Sequence, residues 1–238
     1  MAENYGTLYM IPSPISDEAS LDVLAAVNAP IIRTLSHFVV ENTRTSRRFL
    51  SRLGMGRPIE ELKFEECNEH TRPEEIEGLL APLLAGESVG VISEAGLPGI
   101  ADPGAAVVAA CHRKGIKVVP LSGPSSIFMA LMASGQNGQS FAFNGYLPVK
   151  PHERRGAIRK YEQRALAEGQ SQIFIETPYR NGALMEEMLQ SLGSETVLTV
   201  AADLTAPTEY VRSATIRKWR TLPRPEIHKR PAIFIIGR

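Results

Sequence analysis

The sequence predicts an α/β protein of two α/β/α domains, and three observations carry that prediction. Short β-rich runs alternate with helical stretches through the first half, the pattern of βαβ units on a mostly parallel sheet. The second half closes on three β-rich runs with little helix between them, the pattern of a mixed sheet ending in antiparallel hairpins. The 238 residues allow two domains of about 110–120 residues each. The change of character falls near Pro120–Pro124, so the expected domains are 1–120 and 121–238, with a ligand cleft between them.

The elements follow in order. Residues 7–12 read as a strand stopped by Pro12-Ser13-Pro14, and a helix is expected near 20–28. Residues 36–42 are a second strand, and 43–53 a helix ended by Gly54. Residues 61–66 read as an edge strand. Residues 73–86 read as a helix with an acidic first turn and a terminal glycine, in which Pro82 kinks the helix or shifts its boundary. A strand at 88–93, a helix at 104–115 and a strand at 116–121 complete the first half. The second half reads as a helix at 125–134, a strand at 140–147, a long charged helix at 152–169, a buried strand at 172–176 and a helix at 180–192. The three final strands are expected at 196–204, 209–215 and 230–238.

Composition excludes several classes. Hydrophobic residues make up 43% and charged residues 22%, which argues against disorder. Lys+Arg and Asp+Glu are 26 each, so a nonspecific nucleic-acid coat protein is not expected, because counterion release needs excess basic charge. Two cysteines, Cys67 and Cys111, cannot frame a secreted disulfide module. Cys67 and His70 have C-x-x-H spacing without a second ligand pair, so no metal is expected. The start of the chain lacks the basic and apolar segments of a signal peptide, and no apolar run approaches ~20 residues, so the expectation is a cytoplasmic protein without a membrane span.

Common cofactor motifs are missing. Gly54-Met55-Gly56 begins a G-x-G-x-x-G, but position 59 is Ile and the segment follows a helix. There is no G-x-x-x-x-G-K-[ST] and no H-E-x-x-H. Gly123-Pro124-Ser125-Ser126-Ile127 lacks the second glycine of a nucleophile elbow.

The strongest segment is Ser93-Glu94-Ala95-Gly96-Leu97-Pro98-Gly99-Ile100-Ala101-Asp102-Pro103-Gly104. It joins a buried strand to a helix, and its glycines and prolines leave backbone groups open to a ligand. Loops at the carboxyl ends of strands are where open α/β sheets bind ligands, and the helix behind offers free N–H groups. Pro12-Ser13-Pro14-Ile15-Ser16-Asp17 and Ser122-Gly123-Pro124-Ser125-Ser126 are expected beside it. Ile173-Phe174-Ile175-Glu176-Thr177-Pro178-Tyr179-Arg180 puts a carboxylate after a buried run, with Glu176 and Arg180 placed to pair across the turn. Two basic stripes stand out: Arg44, Arg48 and Arg52 with Arg47, and Arg155, Arg159, Lys160 and Arg164 with Arg154 nearby. A solvated face explains such stripes, and phosphate contact is the functional alternative.

These segments, in this order, resemble the tetrapyrrole methylase superfamily of S-adenosylmethionine-dependent methyltransferases, and within it the RsmI type, which 2′-O-methylates a cytidine of small-subunit ribosomal RNA. The resemblance runs from about residue 7 to 238. It rests on Ser13-Pro14-Ile15-Ser16-Asp17, on Val40-Glu41-Asn42-Thr43-Arg44, on the loop 94–104, on Ser122–Ser126, on Gly145-Tyr146-Leu147-Pro148 and on Ile175–Arg180. The resemblance implies two α/β/α domains with S-adenosylmethionine in the cleft between them, in a homodimer. It implies cofactor contacts at Ile15, Ala95, Gly96, Leu97, Ile100, Ser125, Ser126, Glu176, Leu204, Pro231 and Ala232.

The chain departs from the family pattern at Ser16-Asp17, where the family has Gly-Asn. It departs at Asn42 and Glu94, where the family has Asp, and at Lys229-Arg230-Pro231, where it has Lys-Gly-Glu. For the chemistry, Glu41 and Glu94 are the candidate bases, and Arg44 and Arg180 the groups that hold phosphate or polarise the acceptor. Three readings stay open at this point. They are a ribosomal RNA 2′-O-methyltransferase, a methyltransferase for a tetrapyrrole or other small acceptor, and a cofactor-binding protein without catalysis.

Overall fold

A computed structural model describes residues 4–16 and 18–238. Two compact units divide the chain, Met1–Ser125 and Ser126–Arg238.

In the first unit the strands are β1 (Thr7–Ile11), β2 (His37–Val40), β3 (Lys63–Glu66), β4 (Val89–Ile92) and β5 (Lys117–Pro120). They form one sheet in the order β3-β2-β4-β1-β5, and every pairing is parallel. Five helices cover it: α1 (Asn28–Thr34), α2 (Thr43–Leu53), α3 (Pro73–Gly78), α4 (Ala81–Leu84) and α5 (Gly104–Lys114). Side chains alternate across the pleat. Leu8, Met10, Val39 and Val91 pack with Leu83, Val107 and Cys111. Ile11, Phe38, Val40 and Ile92 pack with Ile32, Phe49 and Leu50 on the other face. Helices on both faces bury β2 and β4 throughout, which is why those strands read as unbroken apolar runs. The edge strand expected at 61–66 is β3, exposed along most of its length.

Two expectations need correction. The helix near 20–28 is one 3-10 turn at Leu21–Val23, followed by α1 at Asn28–Thr34. The Ser20 hydroxyl accepts from the Asp22 N–H at 3.1 Å and opens the short turn. Pro30 stands in the first turn of α1, where no N–H is needed. The helix at 73–86 is two helices, α3 and α4, because Pro82 cannot continue the hydrogen-bond ladder and instead opens α4.

In the second unit the strands are β6 (Phe141–Tyr146), β7 (Ser171–Ile175), β8 (Val197–Ala202), β9 (Tyr210–Thr215) and β10 (Ala232–Gly237). Their order is β6-β7-β10-β8-β9. Only β6 and β7 pair in parallel; β10 runs antiparallel to both β7 and β8, and β8 to β9. This is the mixed sheet that the sequence predicts. Helices α7 (Pro151–Glu168) and α8 (Asn181–Ser191) and the short α9 (Ile216–Trp219) cover one face through Ile158, Leu184, Met188 and Trp219. Helix α6 (Ser126–Ser134) covers the other through Ile127, Ala130 and Leu131. The Trp219 indole N–H donates to the Leu198 carbonyl at 2.8 Å, so the ring is buried without losing a partner. Arg154 is not part of the exposed basic stripe: it is buried and ion-paired to Glu187 of α8. Among the described residues no helix is long and apolar enough to cross a membrane.

Candidate functional site

Because its sheet is all parallel, the first unit brings the loops after β1, β2, β4 and β5 to one edge. Three of the segments singled out above meet there. The Ser13 N–H donates to the Gly96 carbonyl at 2.9 Å, and the Gly96 N–H returns the bond at 3.2 Å. The Ser13 hydroxyl donates to the Ser93 carbonyl at 3.3 Å. A Cβ on Gly123 would overlap the ring of Pro12, so only glycine lets the loop after β5 lie against the loop after β1. Asn28 donates to the Ser122 carbonyl at 2.7 Å and anchors that loop. Asp17 lies outside the described residues.

The loop 93–104 turns through left-handed residues at Gly96, Gly99 and Ala101. One side chain holds it. The Asp102 Oδ1 accepts from the Gly99 N–H at 2.8 Å and from the Gly104 N–H at 2.7 Å, which also satisfies the start of α5. Burial pushes the Asp102 carboxyl up, and these two donors pull against it. The sequence reading left Asp102 out of the site; its only local signal is the Asp-Pro-Gly helix start.

Glu41 and Glu94 come together. The Glu41 N–H extends the β2–β4 ladder to the Ile92 carbonyl at 3.2 Å, and its Oε2 accepts from the Glu94 N–H at 3.1 Å. Desolvation of its carboxyl, and then the charge of Glu41, hold Glu94 above the usual carboxylate range. Asn42 caps α2: its Oδ1 accepts from the Arg44 N–H at 2.9 Å and the Thr45 N–H at 3.2 Å. That role suits Asn and Asp equally, which accounts structurally for the Asn42 departure. Glu66, at the end of β3, accepts from the Thr43 hydroxyl at 2.7 Å and the Thr43 N–H at 3.1 Å, and these bonds pull its carboxyl down. Arg44 and Arg48 stand exposed on α2. Arg47 lies 5.6 Å from the Phe64 ring centroid, and Arg52 donates to the Ala19 carbonyl at 2.8 Å. A small pocket at the strand ends is lined in part by Glu41, Cys67, Ser93 and Asp102. Cys67 is buried, His70 is exposed, and among the described residues no three His, Cys, Asp or Glu form a metal-binding group.

The second unit gathers its own cluster at one edge of its sheet, from the loops after β7 and β8 and the segment before β10. Glu176 is buried, with its Oε1 accepting from the Thr177 N–H at 2.7 Å and from Arg180 at 2.6 and 3.0 Å. The expected Glu176–Arg180 pair is therefore present. The Glu176 Oε2 and the Thr205 Oγ1 are buried without a hydrogen-bond partner, an open valence that a ligand's donors can fill. Arg230 is the hub. It pairs with Asp203 at 2.6 Å and donates to the Glu226 and Thr208 carbonyls. Asn181 donates to the Arg230 carbonyl at 2.6 Å. Asp203, Thr205 and Lys229 are all left-handed, a strain that non-glycine residues hold only where the surroundings over-determine it. Sequence reading missed Asp203 and Asn181, and saw Arg230 only as a departure from the family pattern, because their partners lie far away in the chain.

The expected site residues thus fall into two groups. Ile15, Glu41, Arg44, Glu94, Ala95, Gly96, Leu97, Ile100 and Ser125 belong to the first unit; Ser126, Glu176, Arg180, Leu204, Pro231 and Ala232 belong to the second. Ile15, Gly96, Glu176, Leu204 and Ala232 are buried, whereas Ala95, Ile100 and Pro231 are exposed.

Comparison with known proteins gives the family. The family model of tetrapyrrole (corrin/porphyrin) methylases matches residues 7–219. The chain is 34% identical over 233 residues to ribosomal RNA small subunit methyltransferase I of Xylella fastidiosa, covering 97% of this chain and 80% of that one. It is 32% identical over 210 residues to the protein of the same name from Vibrio cholerae, covering 86% and 67%. The crystal structure of the methyltransferase CobJ superposes with a TM-score of 0.63 at 16% identity, covering 98% of this chain and 94% of that one, a likeness of fold. The chain belongs to the tetrapyrrole methylase family of S-adenosylmethionine-dependent methyltransferases.

Proposed function

We propose that this enzyme uses S-adenosylmethionine to methylate the 2′-hydroxyl of a cytidine in small-subunit ribosomal RNA, in the cytoplasm and as a homodimer. The observation that carries the acceptor is the likeness to ribosomal RNA small subunit methyltransferase I over 80% of the Xylella fastidiosa protein's length.

The residues present fit the cofactor. Loop 93–104 carries no side chain at left-handed Gly96 and Gly99, and the buried Glu176 Oε2 and Thr205 Oγ1 lack partners that a ligand's amino or hydroxyl groups can supply. When bound, S-adenosylmethionine supplies a methyl group on a sulfonium, activated for in-line displacement. The chain then has to align the acceptor hydroxyl and relieve it of its proton. Alignment is an entropic gain worth up to roughly 7–11 kcal/mol. Glu94 is the favoured base, with Glu41 beside it. The Glu94 carboxyl is held above the ordinary range, which makes it a stronger base, and a positioned base of this kind contributes roughly 10²–10⁴-fold. Arg44, exposed in the first turn of α2, takes an RNA phosphate. Arg180 is paired with Glu176 and orients that carboxylate.

Calorimetric titration with S-adenosylmethionine, followed by a tritiated-methyl assay on small ribosomal subunits, tests both parts. Binding with label in the RNA is expected. No binding overturns the cofactor assignment; binding without label overturns the RNA acceptor and leaves the small-acceptor reading.

A further inference from the structure

We propose that the exposed edge formed by Tyr179, His228 and Lys229 is a nucleotide-binding surface that takes an unpaired base and a phosphate of the acceptor RNA. This rests on the RNA reading above.

Tyr179 is 71% exposed, the most exposed tyrosine among the described residues. Its ring has neighbours on this edge. Pro178 precedes it, and the Pro178 carbonyl accepts from the Lys229 N–H at 3.0 Å. The His228 ring meets it edge-on at 6.0 Å between centroids, and the Lys229 Nζ lies 5.8 Å from its centroid. Lys229 holds a left-handed backbone, with φ of 60°. Asn181 braces the same segment on both sides, donating to the Ile227 carbonyl at 3.3 Å and the Arg230 carbonyl at 2.6 Å. A second tyrosine, Tyr146, is 59% exposed at the end of β6, in register with Ile175 of the adjoining strand.

The charge beside the ring is equally selective. Arg180 and Arg230 are neutralised by Glu176 and Asp203. Lys229 makes no salt bridge among the described residues, so its charge is available to an anion. An exposed ring with a cation beside it that makes no salt bridge matches a base with its phosphate, since every base has a π-face and stacking is tolerant of sequence. A duplex cannot offer an unstacked base, so the surface selects single-stranded RNA.

The test uses the full chain and a fluorescein-labelled single-stranded RNA oligonucleotide, read by fluorescence anisotropy. Tyr179→Ala is expected to weaken RNA binding about 10-fold or more, and Tyr179→Phe less than about 2-fold. Lys229→Gln is expected to reduce the salt slope of log K by about 0.7, the loss of one phosphate contact. S-adenosylmethionine affinity, measured by calorimetry, is expected to stay unchanged in all three. Unchanged RNA affinity in Tyr179→Ala, with methyl transfer by the wild type intact, overturns this surface alone. Loss of cofactor and RNA affinity together assigns Tyr179 a structural role and overturns it too. Loss of binding to an isolated ribosomal protein instead of RNA overturns it in favour of a protein partner. Failure of the wild type to methylate any RNA overturns the reading on which the proposal rests.

Discussion

The two loop clusters reach rigidity by different routes. In the first unit the strand-end loops are held by backbone exchange and by short acceptor side chains without an ion pair: the Ser13–Gly96 exchange, the close approach of Gly123 to Pro12, two N–H groups on Asp102 and the Glu94 N–H on Glu41. In the second, side chains hold the loops: Arg230 on Asp203 and two carbonyls, Arg180 on Glu176, Asn181 on the Arg230 carbonyl. The difference follows from the sheets. An all-parallel sheet sends every strand's carboxyl end to one edge, where short glycine loops pack against each other. The mixed sheet of the second unit brings together loops of different origin and length, and long polar side chains span the gaps. The first kind of loop tolerates few substitutions at glycine; the second stores strain at Asp203, Thr205 and Lys229 and depends on its ion pairs.

The largest expected effect tests the second route. Arg230→Ala leaves the nearly buried Asp203 carboxylate unpaired and should cost about 3 kcal/mol, measured by urea denaturation. A loss under about 0.5 kcal/mol, the scatter of surface substitutions, would mean that backbone holds this edge as well. The first route is broken by Gly123→Ala, whose methyl overlaps Pro12; a cost of about 1–3 kcal/mol and weaker cofactor binding are expected. Unchanged calorimetric affinity would separate that loop from the cofactor site.

Asn42→Ala removes the α2 cap, and the thermal midpoint should fall by an amount equivalent to about 1 kcal/mol. Asn42→Asp should hold or slightly raise it, since the carboxylate accepts the same amides at a positive helix end. A clear loss in Asn42→Asp would show that Glu41 nearby rejects a second charge, which sharpens the account of this departure. The smallest effect is one of pH. Glu94 has a folded pKa above its unfolded value, so the folded state binds more protons between the two. Its contribution to stability is full below the unfolded pKa and is lost as pH rises through the folded one. Glu94→Gln should therefore gain stability relative to wild type as pH rises above the ordinary glutamate pKa of about 4.3, and an unchanged difference on that rise would show that Glu94 is freely solvated.

Much of the site was legible because its signals are local. Glycine and proline mark loop 93–104, Asn before Thr-Arg marks the start of α2, and the Glu176–Arg180 spacing brings the pair across one turn. The helix near 20–28 was misread because Leu-Ala-Ala-Val has the composition of a helix, whereas the Ser20 cap and Pro30 placement divide the segment. Arg154 was read into a basic stripe because spacing cannot tell a solvated arginine from one buried against Glu187, 33 residues away.

The sequence by itself determined the alternation of strand and helix, the change from a parallel to a mixed sheet, and the glycine- and proline-rich loops at the strand ends. Those follow from periodicity and turn chemistry, which act within a few residues. Only the tertiary structure decided that β10, last in the chain, lies between β7 and β8. It alone decided that Glu41 accepts from an amide 53 residues away and that Arg230 closes on Asp203, 27 residues away. The physical reason is that a hydrogen bond or ion pair leaves no local pattern in either partner's neighbours; packing selects the partner once the sheets have set the strand order.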